Sequence, residues 1–145
     1  MRVTLDTNIL YQGLRSRVGA SYAVLQLARS GDLQLAISVP VFEEYQDVLL
    51  RPVVQRETGL DRSDIEAVLD FIALAAVPTP IDFLWRPNLR DETDNKFVEL
   101  AVASGSEYLI TRNRRHYSIG NMLRFDSFRV VTPADFLEQW RRLHG

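Results

Sequence analysis

The chain has 145 residues, a length that serves one domain able to bury about 70% of its unfolded surface, so no second domain is needed. With 46% hydrophobic and 25% charged residues it is not a disordered chain, and zero Cys excludes a disulfide framework, thiolate zinc sites and thiol nucleophiles and points to the cytoplasm as its compartment. Seventeen basic against nineteen acidic residues leave a net charge of -2, so no overall positive field draws the protein to nucleic acid or to an anionic membrane. Any nucleic-acid partner is then held locally.

Met1 to Leu5 is a short β-branched run, read as a strand that ends in the polar turn Asp6-Thr7-Asn8. Because Asp6 breaks the first apolar run, and no basic leader or small-residue cleavage site accompanies it, no targeting segment is expected. Ala20 to Ser30 carries apolar residues at helical spacing and stops at Gly31. Leu33 to Ser38 reads as a second strand, and Pro40 suits the first turn of a helix through Val41, Tyr45, Val48 and Leu49, closed before Pro52. Asp61 opens a further helix with Ile65, Val68, Leu69, Ile72 and Ala76 on one face, and Val77 to Thr79 is the weakest strand, bounded by two Pro. The apolar stretch around Ala73 to Val77 is far short of the roughly 18 residues a membrane span needs, so no membrane partner is expected. Thr93 to Ala103 reads as a helix leading to a strand at Tyr108 to Thr111. Arg129 to Val131 is the last strand, and Thr132-Pro-Ala-Asp135 caps a closing helix that carries Phe136, Leu137, Trp140 and Leu143. Five short strands interleaved with helices predict an α/β fold with a mainly parallel sheet and helices on both faces, and such sheets bind ligands beyond the carboxyl ends of their strands.

The acids fall at those places. Asp6 ends the first strand, Glu43 and Glu44 lie in the first turns of the helix after the second, and Asp91 and Asp94 open the helix before the fourth. Each has a plain reading: an Asx turn, first-turn acids complementing a helix dipole, a cap and its third-position partner. Adjacent helical residues are about 100° apart, so at most one of Glu43 and Glu44 faces a common site. If these carboxylates converge with little Lys or His to neutralise them, two of them about 4 Å apart repel by roughly 4 kcal/mol at an effective dielectric near 20, which calls for a cation. Hard oxygen donors without Cys or a spaced His pair suit Mg2+ or Mn2+, and that ion at a carboxylate cluster serves phosphodiester hydrolysis. After the fourth strand, Arg112, Arg114 and Arg115 beside Tyr117 form a basic loop able to contact phosphates and stack on a base, or simply a solvated loop. Asn113 can add an amide to a metal's water shell, and His116 reads as a group that touches substrate or solvent.

Leu5-Asp-Thr-Asn-Ile-Leu10, Ser38-Val-Pro-Val-Phe-Glu-Glu44-Tyr-Gln-Asp-Val-Leu49, Arg90-Asp-Glu-Thr-Asp94-Asn-Lys-Phe-Val-Glu-Leu-Ala101 and Tyr108-Leu-Ile-Thr-Arg-Asn113 together resemble, in order and spacing, the motifs of PIN-domain nucleases over nearly the whole chain. The chain looks most like the stand-alone VapC-like toxins of toxin-antitoxin pairs. The resemblance implies a single PIN domain over residues 1–145, a three-layer sandwich around a five-stranded sheet. It implies a Mg2+- or Mn2+-dependent endoribonuclease with Asp6, Glu44 and Asp94 as the core metal-binding acids and Asp91 as an additional one. Asn8 matches the turn residue that orients the first Asp, and Thr111 would orient the site. Arg112, Arg114 and Arg115 would steer single-stranded or structured RNA. It further implies a homodimer and a small antitoxin protein as partner. One departure is clear: the family's fourth acid is here Asn113, which still offers a carbonyl or a hold on a metal-bound water. The alternative from another class is a non-catalytic PIN-like module that binds RNA or protein. A phospho-accepting receiver domain would need a Lys at the end of its last strand, whereas the only Lys, Lys96, falls inside a helix.

Overall fold

The computed structural model describes residues 1–81, 94–117 and 127–145. Arg2–Leu5 forms the first strand, β1, and the chain turns directly into helix α1, Thr7–Arg15, with the Asp6 carboxylate accepting from the backbone N–H of Asn8 as its N-cap. Helix α2 (Ala20–Arg29) returns to β2 (Gln34–Ile37). Ser38 then caps α3 (Val39–Leu49), with Pro40 in its first turn, where a missing N–H costs nothing. Pro52 likewise starts the short α4 (Pro52–Thr58), which stops at Gly59, whose φ of 73° is left-handed. A reciprocal capping box between Asp61 and Asp64 opens α5 (Arg62–Ala75), followed by β3 (Val77–Pro78). The remaining described elements are α6 (Asn95–Ser104), β4 (Tyr108–Ile110), a 3-10 turn at Arg114–Tyr117, β5 (Arg129–Val131) and α7 (Pro133–His144), whose Thr132 cap accepts from the Asp135 N–H.

All five strands are parallel, in the order β3-β2-β1-β4-β5. β1 is central and pairs Arg2 with Gln34 on one side and Val3 with Tyr108 on the other. Successive strand side chains point to opposite faces, and Val3, Thr4 and Leu5 are all buried, so helices cover both faces of the sheet in a three-layer α/β sandwich. The chain runs outward from β1 through β2 to β3 and then restarts at β4 on β1's other side. The gap beyond the carboxyl ends of β1 and β4 is therefore the topological switch point, where such sheets place their ligands.

Some expectations from the sequence need correction. Asp6-Thr7-Asn8 is not a free-standing turn: Thr7 is already helical, and α1 was not anticipated. Its interior Gly13 weakens the helical pattern, yet a Cβ there would stand 2.3 Å from Leu25 Cδ1, so the contact between α1 and α2 favours the absence of a side chain. Helix α4, which starts at Pro52, was likewise not anticipated. The helix expected from Thr93 begins at Asn95; Thr93 lies outside the described residues, as does Asp91. On α7, Phe136 and Leu137 enter the core, whereas Trp140 only packs against it and stacks on His144, and Leu143 is exposed. No helix among the described residues is long and apolar enough to cross a membrane.

Candidate active site

Asp6 sits where β1 ends, its backbone N–H continuing the ladder to Ile110 O at 3.0 Å. Across the switch point, Thr111 ends β4 in the same way, its N–H on Val131 O at 2.9 Å. The two buried residues meet: Thr111 Oγ1 donates to Asp6 Oδ2 at 2.8 Å. Tyr117 OH donates to the same oxygen at 2.8 Å from the 3-10 turn. Among the described residues Oδ1 has only the 3.4 Å backbone contact from Asn8, so it is the oxygen with acceptor capacity to spare. Burial pushes the Asp6 carboxyl above its usual range; the Tyr117, Thr111 and Asn8 hydrogen bonds hold it partly down, and the Glu44 charge adds to the rise.

Asn8 ties the two strand ends together. Its Nδ2 donates to Thr111 Oγ1 at 3.3 Å, and its Oδ1 accepts from the Arg112 N–H at 3.1 Å. The amide is thereby spent on holding the loop that carries Thr111, and through it Asp6. Tyr45, below on α3, donates its hydroxyl to Leu5 O; burial and then the charges of Asp6 and Glu44 push that phenol well above its usual range.

Of the two adjacent acids on α3, Glu43 is exposed and Glu44 turns inward. Thr7 Oγ1 donates to Glu44 Oε2, and Lys96 Nζ stands 3.0 Å from Glu44 Oε1. Asp94 precedes α6 without using its side chain as a cap. It is buried, and its Oδ2 faces His116 Nδ1 at 3.3 Å. The other ring nitrogen of His116 is 3.0 Å from Asn113 Nδ2, so the amide at the fourth-acid position is linked to Asp94 through an imidazole. Tyr117 records the shared field of the three acids. Burial, the charges of Asp6 and Asp94, the bond to Asp6 and the charge of Glu44 all push its phenol well above the usual range.

The structure thus brings Asp6, Glu44 and Asp94 to one end of the sheet from segments far apart in sequence. Two features differ from expectation. The acids are not left without Lys or His, since Lys96 and His116 pair with two of them. Tyr117 is wholly buried and serves Asp6, so it presents no face to a base. Arg112, Asn113, Arg114 and Arg115 are exposed on the loop beyond β4. Arg112 reaches Gln12 Oε1 at 3.0 Å, while Arg114 Nε donates to Val130 O at 3.2 Å. The sequence reading passed over Thr7, Lys96 as a partner of Glu44, Tyr117 as a partner of Asp6, and the buried acid Glu99 on α6. For Lys96 and Glu99 there was a signal: each is a charge within the otherwise apolar Phe97–Ala101 helix pattern or at its edge.

The donors available for a metal are hard carboxylate oxygens from three elements, one of them already drawing the cationic Lys96, which is the chemistry that Mg2+ or Mn2+ requires. The residues fit such an ion in kind, although no three Asp, Glu or His side chains among the described residues are grouped closely enough to hold one as they lie.

Comparison with known proteins supplies the family. A family model described as the PIN domain matches residues 2–115. No curated protein matches the chain. Among solved structures, a chain from the crystal structure of VapBC2 from Rickettsia felis bound to a DNA fragment from their promoter is similar, with a TM-score of 0.52 and 20% identity over 91% of this chain and 98% of that one. With four-fifths of its length matched by the family model, and a parallel sheet that places acids at the switch point, the chain belongs to the PIN-domain family.

Proposed function

We propose that the protein is a Mg2+- or Mn2+-dependent endoribonuclease that hydrolyses RNA phosphodiester bonds, acting as the toxin of a toxin-antitoxin pair in the cytoplasm. The observation that carries this reading is that Asp6, Glu44 and Asp94 all lie towards the carboxyl edge of the sheet, near enough to the buried Tyr117 for the charge of each to raise its phenol. These three would hold the metal, with Asp91 and Asn113 assisting through water. When bound, the ion supplies an activated water and neutralises the charge that builds on the phosphate oxygens.

The protein's own contribution is preorganisation. Thr111 and Tyr117 fix Asp6 through one oxygen and leave the other for ligation. Thr7 fixes one oxygen of Glu44, and Asn8 locks the β4 loop to α1. Arg112, Arg114 and Arg115, exposed beside the acids, would steer single-stranded or structured RNA by its phosphates. The fold shared with a chain of the VapBC2 structure supports a small antitoxin as partner; a homodimeric assembly is part of the same proposal and rests on the family resemblance alone.

The linkage of Asn113 to His116, where the family places an acid, favours one competing reading, a PIN-like module that binds RNA or protein without cleaving. Cleavage of single-stranded RNA by the wild type and by Asp6→Ala separates the two. Metal-dependent cleavage that is lost in the folded variant is the expected result. Full activity in Asp6→Ala would overturn the mechanism, and metal binding without turnover in the wild type would favour the module.

A further inference from the structure

Lys96 is the only lysine of the chain and one of its 17 basic residues, yet it is directed into the acidic centre. It lies in the first turn of α6, two residues after Asp94, and reaches across to Glu44 on α3, 52 positions away in sequence. The ion pair is partly buried, with side-chain exposures of 29% and 20%, whereas the i,i+4 pairs Arg51–Asp47, Arg62–Glu66 and Arg142–Glu138 are at least half exposed on both sides. Its Coulomb energy is therefore less screened than theirs. Thr7 and Lys96 between them occupy both oxygens of Glu44.

We propose that Lys96 is a built-in cation that competes with the divalent metal for Glu44: it offsets one negative charge of the metal-free centre and weakens metal binding there. The inference rests on the reading of Asp6, Glu44 and Asp94 as metal ligands. Two cations cannot share Glu44 Oε1 without repelling, so the metal enters at the cost of the ion pair, and afterwards it carries a neighbouring positive charge. Lys96 thus acts on metal affinity through Glu44 and is a positioning residue. A purely orienting role, in which Lys96 holds Glu44 ready as a ligand, predicts the opposite sign on removal.

The test is isothermal titration of Mn2+ into the full-length wild type, Lys96→Met and Lys96→Arg, with thermal melts of each in EDTA. Removing the charge should tighten the Mn2+ dissociation constant by roughly tenfold at low salt, and by less as ionic strength rises. Lys96→Met should also melt earlier than the wild type in EDTA and recover on addition of Mn2+. Lys96→Arg, which keeps the charge, should stay near the wild type in both measurements. Unchanged or weaker Mn2+ binding by folded Lys96→Met overturns the competition while leaving the metal site standing. A wild type that binds no Mn2+, together with a Lys96→Met that binds none, overturns the metal reading and the inference with it.

Discussion

Tyr117 OH donates to Asp6 Oδ2 at 2.8 Å, both residues being buried at the carboxyl end of β1. The phenol comes from the 3-10 turn after β4, so this bond fastens the basic loop to the residue at the heart of the acidic centre. Tyr117→Phe removes the donor and leaves Thr111 as the only side chain among the described residues donating to that oxygen. The expected loss is about 1–2 kcal/mol of stability at neutral pH, because the bond is to a buried carboxylate. The loss should shrink at acid pH, where the carboxyl is protonated and the bond matters less. Urea unfolding of the two proteins at both pH values measures it, and coincident transitions at neutral pH would refute the role given to Tyr117.

Asp6 has a stability signature of its own. Burial raises its folded-state value above the ordinary 3.8, so the folded protein binds a proton more readily than the unfolded chain. The charged carboxyl therefore opposes folding above pH 3.8. That penalty grows as the pH rises through the folded value and then stays constant. Asp6→Asn keeps an N-cap and an oxygen for Thr111 and Tyr117 but carries no charge. In EDTA it should melt at a higher temperature than the wild type at pH 7, with the gain disappearing as the pH falls towards 3.8. Mn2+ should raise the melting temperature of the wild type and not that of Asp6→Asn. A variant that is less stable than the wild type at pH 7 and more stable at pH 4 would contradict the sign.

The alternation of strands and helices was legible because β1, β2, β4 and β5 are short apolar runs bounded by turns, and because Ser38-Val-Pro40, Asp61 to Asp64 and Thr132-Pro133 are helix starts with a mechanism. Even β3 could be read, although Pro78 lies within it and Pro80 follows closely. What escaped depends on contacts between elements. Helix α1 contains Gly13, favoured by the close approach of α2, and Asp6 is at once its cap and a residue of the candidate site, so its capping role was read as a turn. Helical geometry allowed only one of Glu43 and Glu44 to face inward, and the choice of Glu44 came from the resemblance to the PIN motifs. Lys96 was not readable as a partner of Glu44, since the pairing exists only once α3 and α6 lie side by side. The burial of Tyr117 escaped for the same reason: in sequence it is an aromatic in a basic loop, and only the fold turns its hydroxyl to Asp6.

Asp6, Glu44 and Asp94 are proposed to form one metal-dependent centre for RNA hydrolysis. That centre is tested most directly by the initial rate of single-stranded RNA cleavage against Mn2+ concentration, for the wild type and Asp94→Asn side by side, with EDTA as the zero point. Asp94→Asn preserves size and the contact with His116 while removing the charge. The expected rate is saturable and metal-dependent for the wild type, abolished by EDTA, and at least about 100-fold lower for the folded variant. Cleavage that persists in EDTA, or an Asp94→Asn protein that cleaves at the wild-type rate, would contradict it.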